Sequence, residues 1–142
     1  MVKLLIGHKG SGKTKKMVDL ANDSVSRVNG SVVFINKNSR LTTDLKYSIR
    51  VICMDDYEAI TNTDEYIGFI YGVVSQDHDI EEIYIDSILK HADIKIDNLE
   101  DFLARIDMIS KEHEVDFVVS LSADAAELGE YINKYEVVNL AE

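Results

Sequence analysis

Eight residues near the N-terminus, Gly7-His8-Lys9-Gly10-Ser11-Gly12-Lys13-Thr14, match the phosphate-loop pattern G-x-x-x-x-G-K-[ST] throughout. Each residue type has a physical reason to be there. A triphosphate needs several donors around closely spaced oxygens. Consecutive backbone N–H groups supply them when a loop wraps tightly, and Gly7, Gly10 and Gly12 permit that path. A helix beginning near Lys13 adds the positive end of its dipole. The Lys13 ammonium is expected to reach the β- and γ-phosphates as a point charge, and the Thr14 hydroxyl to ligate Mg²⁺. His8 and Lys9 are variable positions of such a loop, and His8 reads as a solvent-facing residue rather than a catalyst.

Such a site calls for a second acid at the end of another buried strand, holding the magnesium through water. Ile83-Tyr84-Ile85-Asp86 supplies it, and Asp86 is preferred over the rival run Val51-Ile52-Cys53-Met54-Asp55-Asp56, which follows an irregular loop. The residue after Asp86 is Ser87, and a serine is no general base at neutral pH. Hydrolysis is therefore expected to be slow, or to need an acid from Asp55, Asp56, Asp124 or a partner. Lys13, Asp86 and Ser122 are the candidate catalytic residues. Ser120 and Ser122 end an apolar strand, where a polar side chain either senses the γ-phosphate or caps the next helix; the sequence leaves both open.

Other polar groups carry less. Arg40 stands in a polar loop and reads as solvated. Asp77, Asp79, Glu81 and Glu82, beside His78, resemble a metal cluster only in composition and read as a charged turn. Cys53 lies in an apolar run and reads as a small core residue.

The elements that must position these groups follow from periodicity. Strands are predicted at 2–6, 32–35, 82–86, 116–121 and 135–140, with a shorter one at 50–54. Helices are predicted over 13–29, from Asn62 onward with Glu65 completing a capping box, over 98–114, and briefly over 125–132 behind Asp124. Residues 36–48 read as polar and irregular. Short apolar strands alternating with helices imply a parallel sheet buried on both faces, with any ligand at the carboxyl edge.

The 142 residues, one cysteine and no proline fit a single domain over 1–142 in a reducing, cytoplasmic setting, without disulfides. No apolar run reaches membrane-spanning length. The net charge of −11 is unevenly spread. Residues 1–50 hold ten Lys/Arg against three Asp/Glu (+7), and residues 51–142 hold five against twenty-three (−18). A chain this acidic argues against nonspecific nucleic-acid binding, while its basic third suits a small anion.

In layout the chain resembles the RecA-like branch of P-loop ATP-binding proteins, and within it the ATP-binding domain of type II thymidine kinases. The resemblance runs through the phosphate loop, Ser48-Ile49-Arg50, Ile85-Asp86-Ser87, Phe117-Val118-Val119-Ser120-Leu121 and Tyr135-Glu136-Val137-Val138-Asn139-Leu140. It implies a three-layer α/β/α sandwich around a mainly parallel five-stranded sheet of order 5-1-4-3-2, with ATP and Mg²⁺ as ligands. Two departures matter. Ser87 replaces the kinases' glutamate, and their zinc-containing segment has no counterpart before Glu142. The expectation is Mg²⁺-dependent ATP binding with weak or partner-dependent hydrolysis. The alternatives are a small-molecule, nucleoside-type kinase and a nucleotide-switched assembly module. In the last, a protein partner or second copy would contribute an arginine such as Arg27, Arg40 or Arg105.

Overall fold

Apolar runs of four to seven residues form the strands of this protein, because each must bury side chains on alternating faces. The computed structural model describes residues 1–40 and 43–140. Of the polar stretch 36–48, positions 41 and 42 lie outside them. The chain runs β1 (Val2–Gly7), α1 (Lys13–Ser24), β2 (Ser31–Asn36), β3 (Arg50–Cys53), α2 (Thr63–Gln76), β4 (Ile80–Ile85), α3 (Ile96–His113), β5 (Asp116–Ser122) and β6 (Glu136–Asn139).

The strands make one sheet of order β3-β2-β4-β5-β1-β6, with every pairing parallel. The sheet thus has six strands rather than five. The additional one is the edge strand β3, the short strand predicted at 50–54, which the five-stranded layout of the resemblance leaves out and which pairs along β2 from Val33↔Arg50 to Asn36↔Cys53. Without it, the remaining strands follow the expected 5-1-4-3-2 order.

Alternation along the strands divides the core into two layers. Ile6, Ile35, Ile85 and Val119 face α2 and α3, meeting Tyr66, Ile70, Phe102 and Leu103. Leu5, Phe34, Tyr84 and Val118 face α1, meeting Met17, Val18 and Ala21. Full burial of a side chain such as Phe102 contributes about 1.5–3 kcal/mol. Among the described residues no helix is long and apolar enough to cross a membrane.

Two helices differ from expectation. The helix predicted over 13–29 ends at Ser24 and continues as turns, with Arg27 N–H donating to Ser24 O at 2.9 Å. The early stop lets the chain reach Gly30, where an added Cβ would sit 1.9 Å from the carbonyl oxygen of Asp79. That close approach starts β2. The helix predicted over 125–132 is instead two 3₁₀ turns, Ala125–Glu127 and Glu130–Lys134, separated by residues with extended backbone at Leu128 and Gly129. Because all strands run the same way, Gly7, Asn36, Ile85 and Ser122 end at one edge of the sheet.

Candidate functional site

The phosphate-loop residues connect β1 to α1 at that edge. Gly10 and Gly12 take φ of 84° and 90°, left-handed conformations that L side chains rarely adopt. Gly12 also stands at the start of α1, and Lys16 N–H donates to its carbonyl at 3.0 Å. No side chain caps this helix and its first turn holds no acid. Its leading amides and dipole therefore face the loop with no anionic side chain to satisfy them.

Lys13 folds back into the loop. Its Nζ donates to His8 O at 2.7 Å, to Gly7 O at 3.1 Å and to Ser11 Oγ at 3.4 Å, and the residue is 6% exposed. Burial pulls the ammonium's pKa below its usual value, Asp86 opposes this, and the charge of Lys90 adds to it.

Asp86 stands just beyond β4, fixed by its own N–H donating to Ile35 O at 3.0 Å. It is 3% exposed, yet both carboxylate oxygens have partners. Thr14 Oγ1 donates to Oδ2 at 3.0 Å and Ser120 Oγ donates to Oδ1 at 2.7 Å. Ser120 thus neither caps a helix nor stands ready for a phosphate. It positions Asp86 and accepts a hydrogen bond from Ser87 N–H at 2.8 Å. Ser87 adopts φ 58°, and the chain turns there away from the sheet.

Behind Asp86 lies a histidine that sequence reasoning did not single out. His91 is 1% exposed, and its Nε2 meets the Asp86 carbonyl oxygen at 2.7 Å, so Nε2 carries the proton and donates. Its Nδ1 has no partner among the described residues, and the ring packs edge-on against Tyr66 at 5.6 Å. Burial lowers the imidazole pKa, which keeps the ring neutral.

The Thr14 hydroxyl and the Asp86 carboxylate are hard oxygen donors on neighbouring elements. Among the described residues no three His, Cys, Asp or Glu side chains converge as an all-protein metal cage. This donor set suits Mg²⁺, which prefers one or two protein oxygens supplemented by water and substrate phosphate.

Two adjoining clefts lead from these residues to the surface and share Thr14, Ser87 and Lys90. One, of about 300 Å³, runs along the loop past Lys9, Lys13 and Ser122. The other, of about 400 Å³, holds Asp86 with Asn36, Lys37, Arg40 and Asp55. Their sizes fall at the low end of small-ligand sites.

The remaining candidates separate. Of the acids considered as substitutes for the missing glutamate, Asp55 lines the cleft, but Lys37 Nζ holds it at 2.6 Å. Asp56 is exposed in the turn Met54–Asp56. Asp124 lies by the exposed His8, with Oδ1 3.1 Å from Nε2. Arg27 pairs with Asp23 at 3.7 Å and Arg105 with Asp64 at 2.8 Å, so neither is free for a neighbour without breaking an ion pair. Burial raises the thiol pKa of the half-buried Cys53. The acids at 77–82 serve the fold: Asp77 accepts from Asp79 N–H at 2.8 Å, Glu81 from Gly30 N–H, and Glu82 from the Tyr84 hydroxyl at 2.6 Å. Lys90, Lys37 and Asn36 line the cleft without belonging to any motif. The one signal for Lys90 is its place four residues after the strand-ending acid.

No protein family matches the sequence, and no curated protein does. The fold is widely shared, since 207 solved chains are similar to it, and that breadth assigns an architecture rather than a reaction. One is the flagellar accessory protein FlaH from Methanocaldococcus jannaschii, at 13% identity and a TM-score of 0.58. The match takes in 94% of this chain and 65% of that one, so this chain spans less than two thirds of its structural neighbour. The likeness is compatible with a P-loop NTPase fold.

Proposed function

We propose that this protein binds a nucleoside triphosphate, ATP in the first instance, together with Mg²⁺, and hydrolyses it weakly or only with help from a partner. The observation that carries this is the 3.0 Å hydrogen bond from Thr14 to Asp86. It joins two residues 72 positions apart at the mouth of a complete phosphate-loop motif, in the arrangement a magnesium–phosphate site requires. Lys13 would exchange its loop carbonyls for the β- and γ-phosphate oxygens. Backbone N–H groups from Lys9 to Thr14 would cradle the phosphates at the start of α1. Thr14 and, through water, Asp86 would hold the magnesium, with Ser120 orienting the carboxylate. The ion supplies charge neutralisation across the phosphate oxygens.

The weak-hydrolysis part rests on Ser87 and Asp55. Ser87 offers no base, and Asp55, the candidate acid in the same cleft, is neutralised by Lys37. Calorimetric titration with ATP·Mg²⁺ tests the binding. Absence of heat for the wild type, or an unchanged affinity in Lys13→Ala, ends the proposal. If a second copy completes the site, a light-scattering mass that rises on adding ATP will reveal it.

One observation favours a kinase as the second reading. A further cleft of about 490 Å³ lies between Met54–Glu58 and Lys90–Ala92, and shares Lys37, Asp55 and Lys90 with the cleft at Asp86. A small acceptor there would adjoin the γ-phosphate. ADP release that rises above the ATP-only rate when nucleosides are added supports transfer; turnover indifferent to every acceptor counts against it.

A further inference from the structure

The three clefts at the carboxyl edge of the sheet have one side chain in common, Lys90. Its backbone belongs to the 3₁₀ turn Ile88–Lys90, and this turn is firmly tied. Lys90 N–H donates to Ser87 O at 2.9 Å, Ser87 N–H is held by Ser120, and Ile88 is fully buried. On its far side the His91 ring is anchored on the Asp86 carbonyl. The root of Lys90 is therefore fixed beside the acid, while its exposed side chain keeps its freedom.

Lys37 is paired with Asp55, Lys15 with Asp19, and Lys13 is wrapped by loop carbonyls. Among the described residues no hydrogen bond or ion pair engages the Lys90 ammonium. It also lines the same cleft as Lys13. Two like charges converging on one cleft repel, and an anion between them turns the repulsion into attraction.

We infer that Lys90 contacts the γ-phosphate of the bound nucleotide and makes the protein distinguish a nucleoside triphosphate from a diphosphate. The inference rests on the nucleotide-binding reading above. In that reading the β-phosphate lies within the loop amides, on the near side of the Thr14–Asp86 pair. Lys90 lines both the cleft that runs along the loop and the cleft that holds Asp86, so its side chain can meet a third phosphate placed beside the Thr14–Asp86 pair. Ser87 offers no general base and Asp55 is paired with Lys37, so Lys90 serves recognition of the triphosphate rather than its cleavage.

Calorimetry with a non-hydrolysable ATP analogue and with ADP, each with Mg²⁺, tests this on wild type, Lys90→Ala and Lys90→Arg. A charge-assisted contact at this site corresponds to about tenfold in affinity. Lys90→Ala is therefore expected to weaken the triphosphate about tenfold and ADP by less than about twofold. Lys90→Arg should keep most of the preference. Equal weakening of both ligands, or no change in either, overturns the inference. Wild type that binds neither ligand removes the nucleotide reading itself, whereas wild type that binds both with a ratio indifferent to residue 90 removes only the role of Lys90. Should Lys90→Ala fail to fold by circular dichroism, Lys90→Gln removes the charge while keeping the stem, and the same two ratios decide.

Discussion

The starts of α1 and α2 satisfy their first amides in opposite ways. At α2 the chain does everything itself. Asn62 Oδ1 accepts from Glu65 N–H at 2.9 Å, and the Glu65 carboxylate accepts from Asn62 N–H at 3.3 Å and Thr61 N–H at 2.7 Å. The Thr61 backbone N–H, then its hydroxyl, hold the Glu65 pKa below the usual carboxylate range, and Asp64 and Glu65 complement the dipole. At α1 the cap is a left-handed glycine with no side chain to offer, and the first turn carries Lys13, Lys15 and Lys16 instead of acids. Those lysines oppose the dipole and lower local stability. One helix start is built for folding, and the other withholds local stabilisation that an anion can supply.

The largest effect should come from the residue that most separates the two. Lys13→Ala is expected to weaken ATP·Mg²⁺ about a hundredfold, about 2.8 kcal/mol, as read by calorimetry. Its melting temperature without nucleotide should stay near that of wild type or above it, because a desolvated ammonium is removed. A variant that melts far lower while retaining its affinity would make Lys13 structural and erase the contrast.

Next is Gly12→Ala. Space is not the obstacle, since nothing lies within 4 Å of an added Cβ, but φ of 90° is. The left-handed backbone should cost about 1–2 kcal/mol of stability, with nucleotide affinity falling alongside because the loop amides are re-aimed. Urea unfolding and calorimetry together check this; an unaltered unfolding midpoint would show that the loop relaxes freely.

The reciprocal change is Asn62→Ala. Loss of the cap should cost about 1 kcal/mol, a fall of about 2–4 °C in melting temperature, with ATP·Mg²⁺ affinity unchanged. Weaker binding in this variant would mean that the α2 start is not independent of the site.

What sequence could and could not reveal divides along the same line. The phosphate loop, the capping box at Asn62 and Asp86 at the end of an apolar strand are local patterns, each set by residues a few positions apart, and each is legible directly. The strand order followed from the family resemblance, and β3 exceeded that layout because the edge of a sheet can gain a short strand without disturbing the rest. Ser120 was ambiguous because its partner lies 34 residues away, and only the β4–β5 pairing brings Ser120 to Asp86. His91, and Lys90 apart from its place four residues after Asp86, are hidden in the sequence for the same reason. A 3₁₀ turn has no periodicity to announce it, and their roles depend on what the sheet edge places opposite them.

His91 connects the two helix starts, and it supplies the smallest and most exacting test. Its ring bonds the Asp86 carbonyl on the site side and packs against Tyr66, in the second turn of α2, on the other. The groups around it act in order: burial lowers the pKa, the Asp86 hydrogen bond and charge raise it, Lys37 lowers it and Asp55 raises it, with a net lowering from 6.5. The unfolded chain therefore binds this proton more readily than the folded one. Stability contributed by the neutral ring is complete above the unfolded value near 6.5 and declines as pH falls below it toward the lowered folded value. Urea midpoints measured from pH 7.5 to 5.5 should fall in wild type and fall less in His91→Gln, whose amide can still donate to the Asp86 carbonyl without titrating. If the two curves stay parallel, His91 titrates as it does in the unfolded chain, and the wall between the α2 start and the phosphate-loop site is wetter than its 1% exposure implies.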